Sequence, residues 1–113
     1  MKQIGDNAEI IAGRYLESHG LRLINRNYRC RFGEIDLIMQ QGDIIVFIEV
    51  RMRSHLQFGG AAASITPSKQ QKLIRTAEHF LQQHGNTACR FDAILMNKLD
   101  TDQIEWITNA FSA

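Results

Sequence analysis

Residues 34–40 and 43–51 form two stretches rich in Ile, Val, Leu and Phe, separated only by Gln41 and Gly42. Such a pair predicts two antiparallel strands joined by a two-residue hairpin turn at Gln41-Gly42. Each stretch holds an acid among apolar neighbours, Asp36 in the first and Glu49 in the second. A carboxylate inside an apolar strand is costly unless it is paired or liganded. A turn at Gln41-Gly42 pairs Gln40 with Asp43, Ile38 with Ile45 and Asp36 with Phe47. The two-residue side-chain period then puts Asp36 on the parity of Phe47 and Glu49. Asp36 and Glu49 become diagonal neighbours on one face, within about 8 Å. Arg51 points the same way as Glu49, about 6.6 Å further along the strand.

The rest of the chain supplies what covers such a hairpin. Ala8, Ile11, Ala12, Tyr15 and Leu16 recur at helical spacing between Gly5 and His19, and Gly20 stands just past the end. Residues 21–28 predict an edge-like strand with basic residues facing out. Thr66-Pro67 marks a helix start, with Thr66 as N-cap and Pro67 at the first helical position. Leu73, Ile74, Ala77, Phe80 and Leu81 give that helix an apolar face to about His84, and Gly85-Asn86 ends it. Residues 54–65 lack a clear period and predict a mobile crossover loop. Strands over 89–96 and 103–108 follow, separated by a polar turn at 98–102. A crossover helix after the third strand brings the fourth in parallel, so the order implies an α/β fold, a mixed sheet covered by helices. One domain over residues 1–113 suits this length.

The formal net charge is only +1, from 13 Lys and Arg against 12 Asp and Glu. That total hides blocks of opposite sign. Arg14, Arg22, Arg26, Arg29 and Arg31 face Glu17 alone, and Arg51, Arg53, Lys69, Lys72 and Arg75 occupy a stretch with no acid. Between them lies an acidic island of Glu34, Asp36, Asp43 and Glu49. Bases that grip phosphates on either side of carboxylates that hold a cation suit a protein that handles a polyanion. With 44% hydrophobic residues and 22% charged, the composition excludes collagen-like, coiled-coil and disordered classes. No apolar run approaches a membrane span, and the first residues lack the apolar stretch of a signal peptide. Cys30 and Cys89 each stand alone, which fits reduced thiols and a cytoplasmic setting.

Two converging carboxylates can hold Mg²⁺ (or Mn²⁺), which accepts one or two protein carboxylates together with waters and phosphate oxygens. Such an ion polarises a phosphodiester and lowers the pKa of an attacking water, and a cationic side chain beside it offsets charge in the transition state. Asp36, Glu49 and Arg51 have this pattern. Arg29, Arg31, Arg53, Lys69 and Lys72 are the candidate nucleic-acid contacts, with a plain solvated surface as the alternative for each.

Asp36 followed by Glu49-x-Arg51, with Glu9 on the preceding helix, resembles the metal-binding signature of the restriction-endonuclease-like nuclease superfamily. More closely, Gly33-Glu34-Ile35-Asp36-Leu37-Ile38, Phe47-Ile48-Glu49-Val50-Arg51, Arg53, Lys69, Arg90-Phe91-Asp92 and Trp106-Ile107-x-Asn109-Ala110-Phe111 resemble the bacterial YraN family, and the likeness spans nearly the whole chain. The resemblance implies a restriction-endonuclease-like core with a mixed five-stranded sheet flanked by helices, similar to Holliday-junction resolvases of archaeal type. It also implies that Glu9, Asp36 and Glu49 serve the metal and that Val50 lends its backbone carbonyl. Arg51 falls where the family usually has lysine. Arginine keeps the charge and grips a phosphate bidentately, but it cannot accept a proton. Lys69 could take that place only if the second helix leans over the strands.

Three functions remain open at this level. The first is a Mg²⁺-dependent endonuclease acting on DNA, including branched DNA, with a homodimer suited to cutting two strands. The second is a non-catalytic nucleic-acid-binding module that keeps the fold, and the third is a protein-interaction domain.

Overall fold

The computed structural model describes residues 2–52, 65–96 and 104–113, with side chains from Asn7 onward. Its elements run α1 (Lys2–Ser18), β1 (Arg22–Cys30), β2 (Gly33–Gln41), β3 (Ile44–Met52), α2 (Pro67–His84), β4 (Cys89–Met96) and β5 (Ile104–Phe111). The strands form one five-stranded sheet in sequence order, antiparallel except for the parallel pair β3–β4. The crossover through α2 makes that pair parallel, as the element order requires. Arg53, the predicted crossover loop up to residue 64 and the predicted turn at 98–102 lie outside the described residues.

Each helix covers one face. Ala8, Ala12 and Leu16 of α1 are buried with Leu37, Met39, Val46, Ile48, Ile94 and Met96. Leu73, Ala77 and Phe80 of α2 are buried with Ile38, Phe47, Phe91, Ala93 and Leu95 on the other face. The strand interiors are apolar on both sides because both sides are covered. Among the described residues no helix is long and apolar enough to cross a membrane.

Local chemistry sets the element ends. Thr66 caps α2 by accepting the Lys69 N–H at 3.2 Å, Pro67 follows at the first helical position, and Gly85 closes the last turn by donating its N–H to Leu81. At the hairpin the structure corrects the expected register. Gln41 pairs with Ile44, Gln40 with Ile45 and Ile38 with Phe47, so the turn is Gly42-Asp43 rather than Gln41-Gly42. Gly42 takes φ 59° at the first turn position, where the twist of a hairpin favours glycine. The strands slip by two residues relative to expectation, and an even slip leaves the paired residues from Leu37 to Gln41 on the faces that alternation assigns them.

Candidate metal centre

The β2–β3 ladder ends at Leu37–Ile48. Beyond it β2 stays with β1, while Glu49, Val50, Arg51 and Met52 pair with Ala93, Ile94, Leu95 and Met96 of β4. Asp36 occupies this fork. Its Oδ2 accepts the Val50 N–H at 2.8 Å, so a side chain satisfies a backbone donor that the diverging strand no longer reaches. On the other side of β2, the pairing of β1 skips the Asn27–Asp36 position, and Asn27 takes φ 58°, a left-handed conformation that asparagine tolerates. Asp36 is thus released from both ladders.

Val50, whose N–H Asp36 accepts, follows Glu49 on β3, so the hydrogen bond brings the two acids to the same end of the fork. The two carboxyls lie close enough for the charge of one to act on the other. Burial, reinforced by the Asp36 charge, pushes Glu49 up to about 7, although Lys69 and Arg51 pull the other way. Glu49 is only 6% exposed. Two cations converge on its Oε2: Arg51 Nη2 at 3.1 Å from the same strand and Lys69 Nζ at 3.6 Å from the first turn of α2. The second helix does lean over the strands, and Lys69 reaches the acid pair beside Arg51.

The other predicted residues make contacts of their own. Glu9 is half-buried on α1, which covers the face opposite α2, and lines a hollow of about 140 Å³ with Arg14, Leu23 and Arg26. Val50 is seen as a backbone donor to Asp36. Arg29 pairs with Glu34 at 3.0 Å on the exposed edge strand. The Arg31 guanidinium stands 4.8 Å from the centre of the Phe32 ring, and Lys72 is exposed. Asp92 is fully buried and pairs with Arg90. It also accepts from Trp106 Nε1 and the Asn109 N–H.

What this arrangement offers chemically is a pair of hard oxygen donors whose mutual repulsion a cation would relieve, with two positive side chains beside it. A mixed five-stranded sheet between two helices, with an acid pair in the fork of its second and third strands, defines a domain of the restriction-endonuclease-like superfamily. The chain belongs to the uncharacterised protein family UPF0102, the YraN family, whose pattern matches residues 8–96. It is similar to a UPF0102 protein of Methylobacillus flagellatus, 70% identical over the full length of both chains. A relative from Nitrosomonas europaea is 57% identical over 95% of this chain and 92% of its own length, and one from Aeromonas hydrophila is 50% identical over 95% and 83%.

Proposed function

We propose that the protein hydrolyses phosphodiester bonds in DNA with the help of Mg²⁺ or Mn²⁺ held by Asp36 and Glu49. The observation behind this reading is the pairing of two carboxylates in a strand fork on which Arg51 and Lys69 converge. An all-oxygen donor set suits a hard divalent ion, and a cation bound there would favour the ionised form of Glu49 that burial opposes. Bound there, the ion would polarise the phosphodiester and lower the pKa of the attacking water. Glu9 and the Val50 carbonyl are the further oxygen ligands that the family resemblance supplies.

The protein's own groups divide the remaining work. The Val50 N–H fixes Asp36, so one donor is held in place before any ligand arrives. Arg51 and Lys69 offset the negative charge that builds on the phosphorus oxygens. Arg51 acts through charge alone, because a guanidinium does not surrender its proton. Arg29, Arg31, Arg53 and Lys72 grip backbone phosphates, so binding weakens as salt rises. The setting is cytoplasmic, and a second copy of the chain would supply the active site for the second strand of a branched substrate.

The test is a cleavage panel of duplex, single-stranded and four-way DNA with Mg²⁺ or Mn²⁺, using the Asp36→Asn/Glu49→Gln variant as control. Metal-dependent cutting that the control lacks supports the proposal. Binding without cutting at any metal concentration would instead favour the non-catalytic module.

A further inference from the structure

A second hollow, of about 260 Å³, opens between the β1–β2 turn and the second half of α2. Arg31, Phe32, Arg75, Glu78, His79 and Gln82 line it. Gly33 makes the approach of turn and helix possible: its φ is 150°, and a Cβ there would stand 3.3 Å from Thr76 Oγ1. The Phe32 ring meets His79 edge-on with centroids 6.3 Å apart, and Arg31 covers the ring from 4.8 Å. His79 is held in turn by a hydrogen bond between its Nδ1 and the Tyr28 hydroxyl. The result is an aromatic platform flanked by two guanidinium groups and one carboxylate.

The hollow is joined to the acid pair by α2. Lys69, Lys72 and Arg75 recur every third residue along that helix, starting at Glu49 and ending at the hollow. At 1.5 Å of rise per residue, Arg75 lies about 9 Å and His79 about 15 Å beyond Lys69. A stacked strand advancing 3.4 Å per nucleotide covers that span in about three or four steps.

We propose that this hollow receives one unpaired nucleotide of the bound nucleic acid, about three or four steps from the phosphate at the acid pair. The base stacks on the Arg31–Phe32 platform, Arg75 holds its phosphate, and Glu78 and Gln82 meet the polar edge of the base. Bases inside a duplex hide their faces against one another, so the platform selects a tail, a flap or the opened strands of a branch. The inference rests on the nucleic-acid reading above and specifies its substrate class.

The full-length protein is titrated in a fluorescence-anisotropy assay with a blunt DNA duplex and with the same duplex extended by a five-nucleotide single-stranded tail. Wild type binds the tailed duplex more tightly. Phe32→Leu, which keeps an apolar side chain against His79 but no aromatic face, and Phe32→Ala each lower affinity for the tailed duplex by about tenfold and leave the blunt duplex within about twofold. 2-Aminopurine in the tail reports the stacking directly, with quenching that peaks at the third or fourth position and is lost in both variants. Equal wild-type affinity for the two duplexes, or variants that weaken both alike, overturns the hollow while leaving the acid-pair reading intact. Failure of wild type to bind either DNA overturns both.

Discussion

Lys69 reaches from the first turn of α2 to within 3.6 Å of Glu49 on β3, joining the helix that covers one face of the sheet to the acid at the strand fork. The contact depends on where α2 begins. Thr66 and Pro67 fix that start, and the Thr66 hydroxyl accepts the N–H of Lys69 itself. The cap therefore orients the backbone of the residue whose ammonium meets the acid pair. Arg51 approaches the same oxygen, Glu49 Oε2, from within the strand.

Because two cations share one acid, they are not equivalent in their effects. Lys69 places a compact ammonium over the fork from outside the sheet, whereas Arg51 is tied to the strand and keeps its charge at any pH. Lys69→Ala is expected to lower metal-dependent cleavage by about 10²–10³-fold, the usual loss when one charge-stabilising group is removed. Arg51→Lys preserves the charge and is expected to remain within about tenfold of wild type. Single-turnover rates on the best substrate of the panel check both.

Stability should fall as pH rises through the range in which Glu49 differs between folded and unfolded protein. The ordinary value is 4.5 and the folded value about 7, so the folded state keeps a proton that the unfolded chain releases between them. Unfolding free energy therefore declines from about pH 4.5 to about pH 7 and levels off above, by about 3 kcal/mol at most for a shift of this size. Glu49→Gln flattens the profile and is the more stable form at pH 8. Urea unfolding at a series of pH values in the presence of EDTA measures this.

Metal binding should show the opposite slope. The cation requires Glu49 ionised, so affinity for Mn²⁺ rises with pH up to about 7 and then levels. Calorimetric titration at pH 5.5, 6.5 and 8 tests it, and Asp36→Asn removes the binding.

How far the sequence foretold this site follows from what each contact depends on. That Asp36 and Glu49 are neighbours was legible because strand periodicity is two: the hairpin slipped by two residues, and the acids stayed together. The turn itself was misplaced by one position because Gln41 and Asp43, on either side of Gly42, are both polar and leave the apolar pattern silent. The left-handed Asn27 and Asn109 sit inside strands, where the apolar pattern gives no sign of a left-handed residue. The reach of Lys69 and the hollow under Phe32 depend on the angle at which α2 crosses the sheet. Helical periodicity shows which face of α2 is apolar but is silent about that angle.

Asp92 gives the sharpest prediction for stability, and its likeness to the site acids makes the contrast useful. It is 1% exposed, yet its two oxygens take hydrogen bonds from Arg90 Nε at 2.9 Å, Trp106 Nε1 at 3.0 Å and the Asn109 N–H at 2.8 Å. The last of these belongs to the segment where β5 shifts register against β4, so the carboxylate satisfies a backbone donor the ladder leaves over. Asp92→Ala strands a guanidinium, an indole N–H and an amide N–H at once and should cost about 3–5 kcal/mol. Asp92→Asn keeps the shape and part of the bonding and should cost about half as much. Arg90→Met combined with Asp92→Leu removes the charges together and should recover part of the loss, because it leaves no buried ion without its counterpart. Urea unfolding of the three variants orders them. Mn²⁺ affinity of Asp92→Asn unchanged from wild type would separate this structural acid from the pair in the fork.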